Sequence, residues 1–160
     1  MQKFYRHIVF TPVLILLFLV NTTPLNAQEA AAIPVQRLTL LQYIIDDNRP
    51  VLVSLLTKAG LVPMLSGDEA YTLLAPPEKD LEALKEESPE KLKQILSGYI
   101  LKGAHLEKDL KDGSQIKVIS GNSLTVCRKR GTLINGVRIS AADNNVRNGV
   151  VHSLDNVLSF

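Results

Sequence analysis

Asn148-Gly149-Val150-Val151-His152-Ser153-Leu154-Asp155-Asn156-Val157-Leu158 is the stretch whose reading decides the fold. Asn148-Gly149 is a turn signal, because both residue types tolerate positive φ. The residues after it are β-branched and apolar, as a strand requires. In an extended chain Val150 and Leu154 fall on one face, and Val151, Ser153 and Asp155 on the other. Val157 and Leu158 prolong the apolar run. So apolar a strand belongs in the middle of a sheet, where other strands cover it.

Upstream of it, back to Ser114, apolar residues recur with period 2. Ile116 and Val118 alternate before Gly121-Asn122, and Leu124 and Val126 before Gly131. Leu133-Ile134 precede Asn135-Gly136, a second hairpin signal. Val137, Ile139 and Ala141 alternate, and Asp143 to Asn148 leads into the closing strand. Closely spaced strands with turns at glycine read as an antiparallel meander or sandwich.

Before Ser114 the period is near 3.6. Ser88-Pro89-Glu90 is a cap, a first-turn proline and an acid, and Leu92, Ile95, Leu96, Tyr99 and Ile100 follow at helical spacing. Leu38, Leu41 and Ile45 form an earlier stripe, with Tyr43 and Ile44 beside them. Asn48-Arg49-Pro50 ends that helix, and Pro50 opens the next. Val51, Leu52, Leu55 and Leu56 are its apolar face and Gly60 its C-terminal stop. Leu61 to Leu65 reads as a short helical turn, and Ser66-Gly67-Asp68 as a loop. Tyr71 to Ala75 is a strand stopped by Pro76-Pro77; Glu78 to Lys85 then forms a short helix with Leu81 and Leu84 inward. Helices first and strands second predict the α+β class.

Three stretches together resemble one family. Asn148 to Leu158 looks like the closing motif of the fasciclin domain. Tyr71-Thr72-Leu73-Leu74-Ala75-Pro76, with Leu81 and Leu84 after it, is similar to that family's opening motif. Leu92 to Gly103 resembles its central helix and exit. The resemblance covers Leu38 to Leu158. It implies a wedge-shaped antiparallel β-sandwich, two sheets opening at an angle with N-terminal and central helices packed along one side. Pro77 stands where the family usually has a hydroxyl residue able to cap the next helix. Leu81 replaces a common phenylalanine, and Gly98-Tyr99 a Tyr-His pair. The resemblance also implies that His152 is a buried imidazole fixing the closing strand.

The chain has 160 residues, enough for one domain and a leader. Lys3, Arg6 and His7 precede an apolar run from Ile8 to Val20, and Leu25-Asn26-Ala27 ends a polar, turn-prone segment. This is the order of a secretory signal peptide cleaved after Ala27. The expected organisation is therefore a signal peptide over 1–27, a flexible lead-in over 28–37 and the domain over 38–160, with no stable membrane span after cleavage. Without Lys3 and Arg6 the balance is 16 basic and 16 acidic residues, so the domain has no general pull toward nucleic acid. Arg128-Lys129-Arg130, before Gly131, reads as a solvated hairpin tip, with an anionic-polymer contact as the other reading. Cys127 is the only cysteine, so no intrachain disulfide forms and the core must hold the domain. It is expected to be covered and slow to label.

The residues predict no catalytic site, no cofactor site and no metal site. His152 and Ser153 are adjacent on a strand and diverge, and Asp155 lies opposite His152. Cys127, His105 and His152 lack ligand spacing. Gly-x-x-x-x-Gly-Lys is absent, as is Gly-x-Gly after a strand. The resemblance implies an extracytoplasmic, non-catalytic binding module, periplasmic or secreted, for cell adhesion or attachment to surface or extracellular matrix. Its partner would be a surface protein or glycan. A soluble extracytoplasmic carrier of a small ligand is the alternative. Animal members use an Asp followed by a large apolar residue before the closing motif; here the matching pair is Asp143-Asn144, without that apolar residue.

Overall fold

The structure, a computed structural model, describes residues 37–160; the expected signal peptide and the lead-in up to residue 36 lie outside them. Among the described residues five short α-helices come first or interleave with the early strands: α1 (Leu40–Asp46), α2 (Pro50–Lys58), α3 (Val62–Ser66), α4 (Glu78–Leu81, continued by a 3-10 turn to Leu84) and α5 (Pro89–Ser97). Seven strands follow the order β1 (Tyr71–Ala75), β2 (Ile100–Lys102), β3 (Gln115–Lys117), β4 (Ser123–Arg128), β5 (Thr132–Ile134), β6 (Val137–Val146) and β7 (Gly149–Leu154). The α+β class and the fasciclin-type sandwich are both present.

Local chemistry sets the helix ends. Thr39 opens α1 with a capping box: its Oγ1 accepts from the Gln42 N–H at 3.2 Å, and Gln42 Oε1 accepts from the Thr39 N–H at 2.9 Å. That start fixes the helix face. Leu40 and Ile44 are buried, whereas the expected stripe residue Ile45 is 56% exposed. Pro50 starts α2, which buries Val51, Leu52, Leu55 and Leu56 as the spacing predicts; Gly60 follows at φ +69, the left-handed stop. Ser88 Oγ accepts from the Lys91 N–H and caps α5. This helix ends at Ser97, one turn before its apolar spacing does. Gly98 caps it, and the expected helix residue Ile100 begins β2. Tyr99 and Ile100 stay buried, so the apolar pattern runs past the end of the helix.

The strands run in the order β2-β1-β7-β6-β5-β4-β3. As predicted, β7 lies inside the sheet, with Val150, Val151, His152 and Leu154 all buried. Pairing is antiparallel except for β1 and β7, which are parallel in register from Tyr71↔Gly149 to Ala75↔Ser153. A parallel neighbour needs a long crossover, and the rest of the domain provides it. The ends of the sheet meet, because Leu101 bridges Val118 and the Ile119 N–H reaches the Ile100 carbonyl at 2.9 Å. Strand β6 continues to Val146, where the sequence predicts a lead-in. Its register shifts between Ile139 and Ala141 and again between Ala141 and Asn144. These bulges bend the strand and turn Ala141, expected inward, to solvent.

The core has two parts, one on each face of the central strands. On one face Leu73, Ala75, Ile100 and Val151 pack against Leu40, Leu52, Leu56, Leu92 and Leu96 of the helices. On the other, Leu74, Leu101 and Leu154 meet Leu124, Val126 and Ile134 of β4 and β5, as in a sandwich. Leu158, beyond the end of β7, is buried in this second cluster, and its N–H donates to the Tyr99 hydroxyl at 2.9 Å. The turn before β7 ties the sheet to the helices. Asn148 Oδ1 accepts from the Leu40 N–H at 2.7 Å, and its Nδ2 donates to the carbonyls of Leu65 and Gly67. One side chain thus supplies partners at the start of α1 and the end of α3, groups that helix ends leave orphaned.

Candidate binding surface

The residues with triad chemistry are held apart. The His152 imidazole is fully buried, with Nε2 2.9 Å from the His105 carbonyl oxygen. Its Nδ1 accepts from the Asp143 N–H at 3.1 Å, which makes Nε2 the protonated donor. The ring thereby fastens β7 to the loop after β2 and to the bulge of β6. Ser153, on the opposite face, accepts from Arg49 Nη2 at 3.0 Å. Asp155 Oδ1 accepts from the Arg138 N–H. His105 is half-buried: its N–H donates to Thr72 Oγ1, and its Nε2 lies 2.9 Å from the Lys102 carbonyl. Among the described residues no group of His, Cys, Asp and Glu is placed to hold a metal ion.

Asp143, which the sequence resemblance sets before the closing motif, occupies the β6 bulge at φ +60. Its Oδ1 accepts from the Glu107 N–H at 2.6 Å. The next residue, Asn144, donates from Nδ2 to the Val151 carbonyl. Both side chains bond within the domain.

The exposed apolar surface lies elsewhere. Among the described residues the large exposed hydrophobics are Ile45 and Phe160. Ile45 rims an open depression of about 390 Å³ over the junction of α1 and α2, lined also by Asn48, Arg49, Pro50, Val53 and Ser54. Its floor is braced from three sides. Arg49 Nε donates to Asp47 at 2.6 Å, Nη1 to the Pro76 carbonyl at 3.1 Å and Nη2 to Ser153. Asn48, at φ +54, lets the chain reverse before Pro50. Arg49 offers α2 no side-chain cap, so Glu78 serves instead: its two carboxylate oxygens accept from the Val51 and Leu52 N–H groups at 2.7 and 3.0 Å. An anion at that helix start is also favoured by the helix dipole. The junction can therefore present an apolar side chain without itself rearranging.

Sequence periodicity missed this surface, since it assigned Ile45 to the inward stripe. The signal that finds it is Thr39 with Gln42, which sets where the helix begins.

Cys127 lies on the outer face of β4, as the alternation predicts, but it is half-buried rather than covered. It shares a cross-strand row with Leu133 and Arg138. Pro77 precedes α4 without a side-chain cap, in line with its departure from the family pattern. Among the described residues no helix is long and apolar enough to cross a membrane.

The family model for the Fasciclin domain matches residues 48–160. Transforming growth factor-beta-induced protein ig-h3 of Sus scrofa is 33% identical over 123 residues, covering 71% of this chain and 18% of that protein. Protein sll1483 of Synechocystis sp. is 26% identical over 149 residues, covering 86% of this chain and 82% of that protein. The chain thus spans a small part of the ig-h3 relative and most of sll1483. A solved FAS1 domain pair from the insect cell adhesion molecule Fasciclin I superposes with a TM-score of 0.62 at 17% identity, over 76% of this chain and 51% of that one. At that identity the likeness is one of fold.

Proposed function

The chain belongs to the fasciclin domain family, and on that premise we propose that it is an exported, non-catalytic binding module that attaches to a protein or glycan of a cell surface or its surrounding matrix. The observation that carries this reading is the division of labour between inside and outside. His152, Asp143, Ser153 and Asn148 are committed to hydrogen bonds that hold strands and loops together. Ile45, Pro50 and Val53 gather around an open depression on a braced helix junction. Such a surface binds by shape and a small apolar contact, and it holds no activated nucleophile. The Fasciclin I likeness supports an adhesive role, as that protein's description is a cell adhesion molecule. Export rests on the signal-peptide pattern of residues 1–27 and places the mature start at Gln28.

The carrier alternative calls for an enclosed apolar pocket with convergent polar groups. The depression at α1–α2 is open, and Arg49 spends its donors on the domain itself, which favours a surface partner over an enclosed ligand. The test is binding of purified protein, residues 28–160, to whole cells and to an array of surface glycans. Binding that weakens in Ile45→Asp, with an unchanged circular dichroism spectrum, supports the reading. Absence of any cell or glycan binding, or turnover of a hydrolase substrate that vanishes in His152→Ala while the fold survives, would overturn it.

A further inference from the structure

The depression leaves one sequence feature unused, the Arg128-Lys129-Arg130 run. It forms the tip between β4 and β5, where the Lys129 N–H closes on the Gly131 carbonyl at 3.0 Å. Arg130 takes φ +49 and Gly131 φ +123, so the tip is a tight reversal. All three basic residues are exposed.

The fold adds a fourth cation that the sequence keeps apart. Arg138 on β6 is paired with Leu133, and its Nη1 donates to the Arg130 carbonyl at 2.5 Å. Arg128 is braced as well, from Nη2 to the Glu107 carbonyl at 3.1 Å and from Nε to Thr132 Oγ1. Four cations thus share one edge, two of them anchored and two, Lys129 and Arg130, at the apex. Among the described residues the Lys and Arg ion pairs are Arg49–Asp47, Lys85–Glu82, Lys91–Glu87 and Arg147–Asp68, and none uses these four.

The carboxylates nearby lie at the neck of the tip, on its flanking residues 128 and 132, and on the β6 backbone at Arg138. Asp112 Oδ1 accepts from the Arg128 N–H, Asp155 from the Arg138 N–H, and Glu107 Oε1 from the Thr132 hydroxyl. Each is spent on holding the hairpin in place. The acids at the neck keep their charge, so the positive end is the apex itself, where Lys129 and Arg130 are exposed and, among the described residues, enter no ion pair. The pull is therefore local and needs a partner of regularly spaced anionic groups that can lie across a narrow edge.

We infer that the β4–β5 tip, with Arg138, is a contact site for an acidic polysaccharide, a polymer of uronate or sulfate esters. This rests on the surface-binding reading above and names the partner chemistry of a second surface. A membrane is the poorer fit. Among the described residues the exposed large hydrophobics, Ile45 and Phe160, are on other parts of the chain, so the tip has no apolar anchor to insert beside its charges. Nucleic acid is disfavoured by the confinement of the charge to one tip without a stacking aromatic.

The experiment passes purified protein, residues 28–160, over immobilised dextran sulfate, polygalacturonate and neutral dextran, with anionic phospholipid vesicles in a parallel arm. Retention on the two acidic polymers, lost as salt rises toward about 1 M, is expected. Lys129→Gln/Arg130→Gln should bind at least about tenfold more weakly. Lys93→Gln/Lys117→Gln removes the same charge from α5 and from β3, where Lys117 pairs with Ser123 at the end of β4 remote from the tip, and should bind as the parent does. Equal weakening in both double variants would overturn the assignment, as would tighter binding to vesicles than to either polymer. Cell retention that persists while the acidic polymers fail would sink this inference and leave the module reading standing. Hairpin-dependent polymer binding together with cell retention that Ile45→Asp leaves unchanged would uphold the inference and remove the α1–α2 depression from that reading.

Discussion

A Cβ on Gly149 would overlap the carbonyl oxygen of Tyr71. Gly149 opens β7 directly opposite Tyr71 in the parallel pair, at φ +149, so both the space and the backbone conformation demand glycine. The backbones of the opening and closing strands approach as closely as they do because this position has no side chain.

Gly149→Ala should therefore cost at least about 3 kcal/mol, from strain and from forced separation of the two strands. Gly136→Ala is the comparison, since it has positive φ but open space around its Cβ. A urea melt should show the larger loss at Gly149. Equal losses would mean that backbone conformation alone matters.

Asn148→Ala removes three partners at once, from the Leu40 N–H and the Leu65 and Gly67 carbonyls. Buried groups left unpaired make this a loss of about 2–4 kcal/mol. Hydrogen exchange should quicken at the Leu40 amide in particular. Unchanged protection there would show that the side chain does not cap α1.

Glu78→Gln keeps one acceptor but loses the charge at the start of α2, whereas Glu78→Ala loses both acceptors. The alanine variant should cost about 1–2 kcal/mol and the glutamine variant less. Equal stability of all three proteins in thermal melts would remove Glu78 as the cap.

Burial raises the Tyr99 phenol above its ordinary value of 10.0, and the Leu158 N–H bond offsets this only in part. A raised folded-state value means that folding favours the neutral phenol. Its contribution is complete below about pH 10 and is lost as pH climbs through the folded value. Tyr43 and Tyr71 are raised too, so the informative quantity is the difference between parent and Tyr99→Phe. The variant should be less stable by about 1 kcal/mol at pH 7, through loss of the Leu158 bond, and the gap should narrow in strong alkali. A gap that widens would contradict the sign.

What the sequence made legible was what neighbours in the chain decide. Ser88-Pro89, Pro50 and Gly60 mark helix ends by their own backbone chemistry. Asn135-Gly136 takes φ +47 and +82, as its residue types predict for a hairpin. Asn148 is legible as a turn residue, but not through positive φ: it acts through its side chain. Contacts made across the fold were not legible. Glu78 caps a helix that begins 28 residues before it, and Arg138 joins a hairpin tip from another strand. Nothing within either local segment encodes these partners. Helical spacing gives a period but not its phase, which puts Ile45 on the inward face; here the cap at Thr39 sets the phase. Placing Ile45 inward hides the depression that carries the functional reading.

The most direct test of that reading compares retention of purified protein, residues 28–160, on cells as a monomer and as a tethered tetramer. A module that binds a repeated surface partner through a small contact gains avidity when linked, and the tetramer should be retained about 100-fold or more longer than the monomer. Ile45→Asp should remove that gain without unfolding the domain. Equal retention of monomer and tetramer would contradict the account of this chain as a surface-binding module.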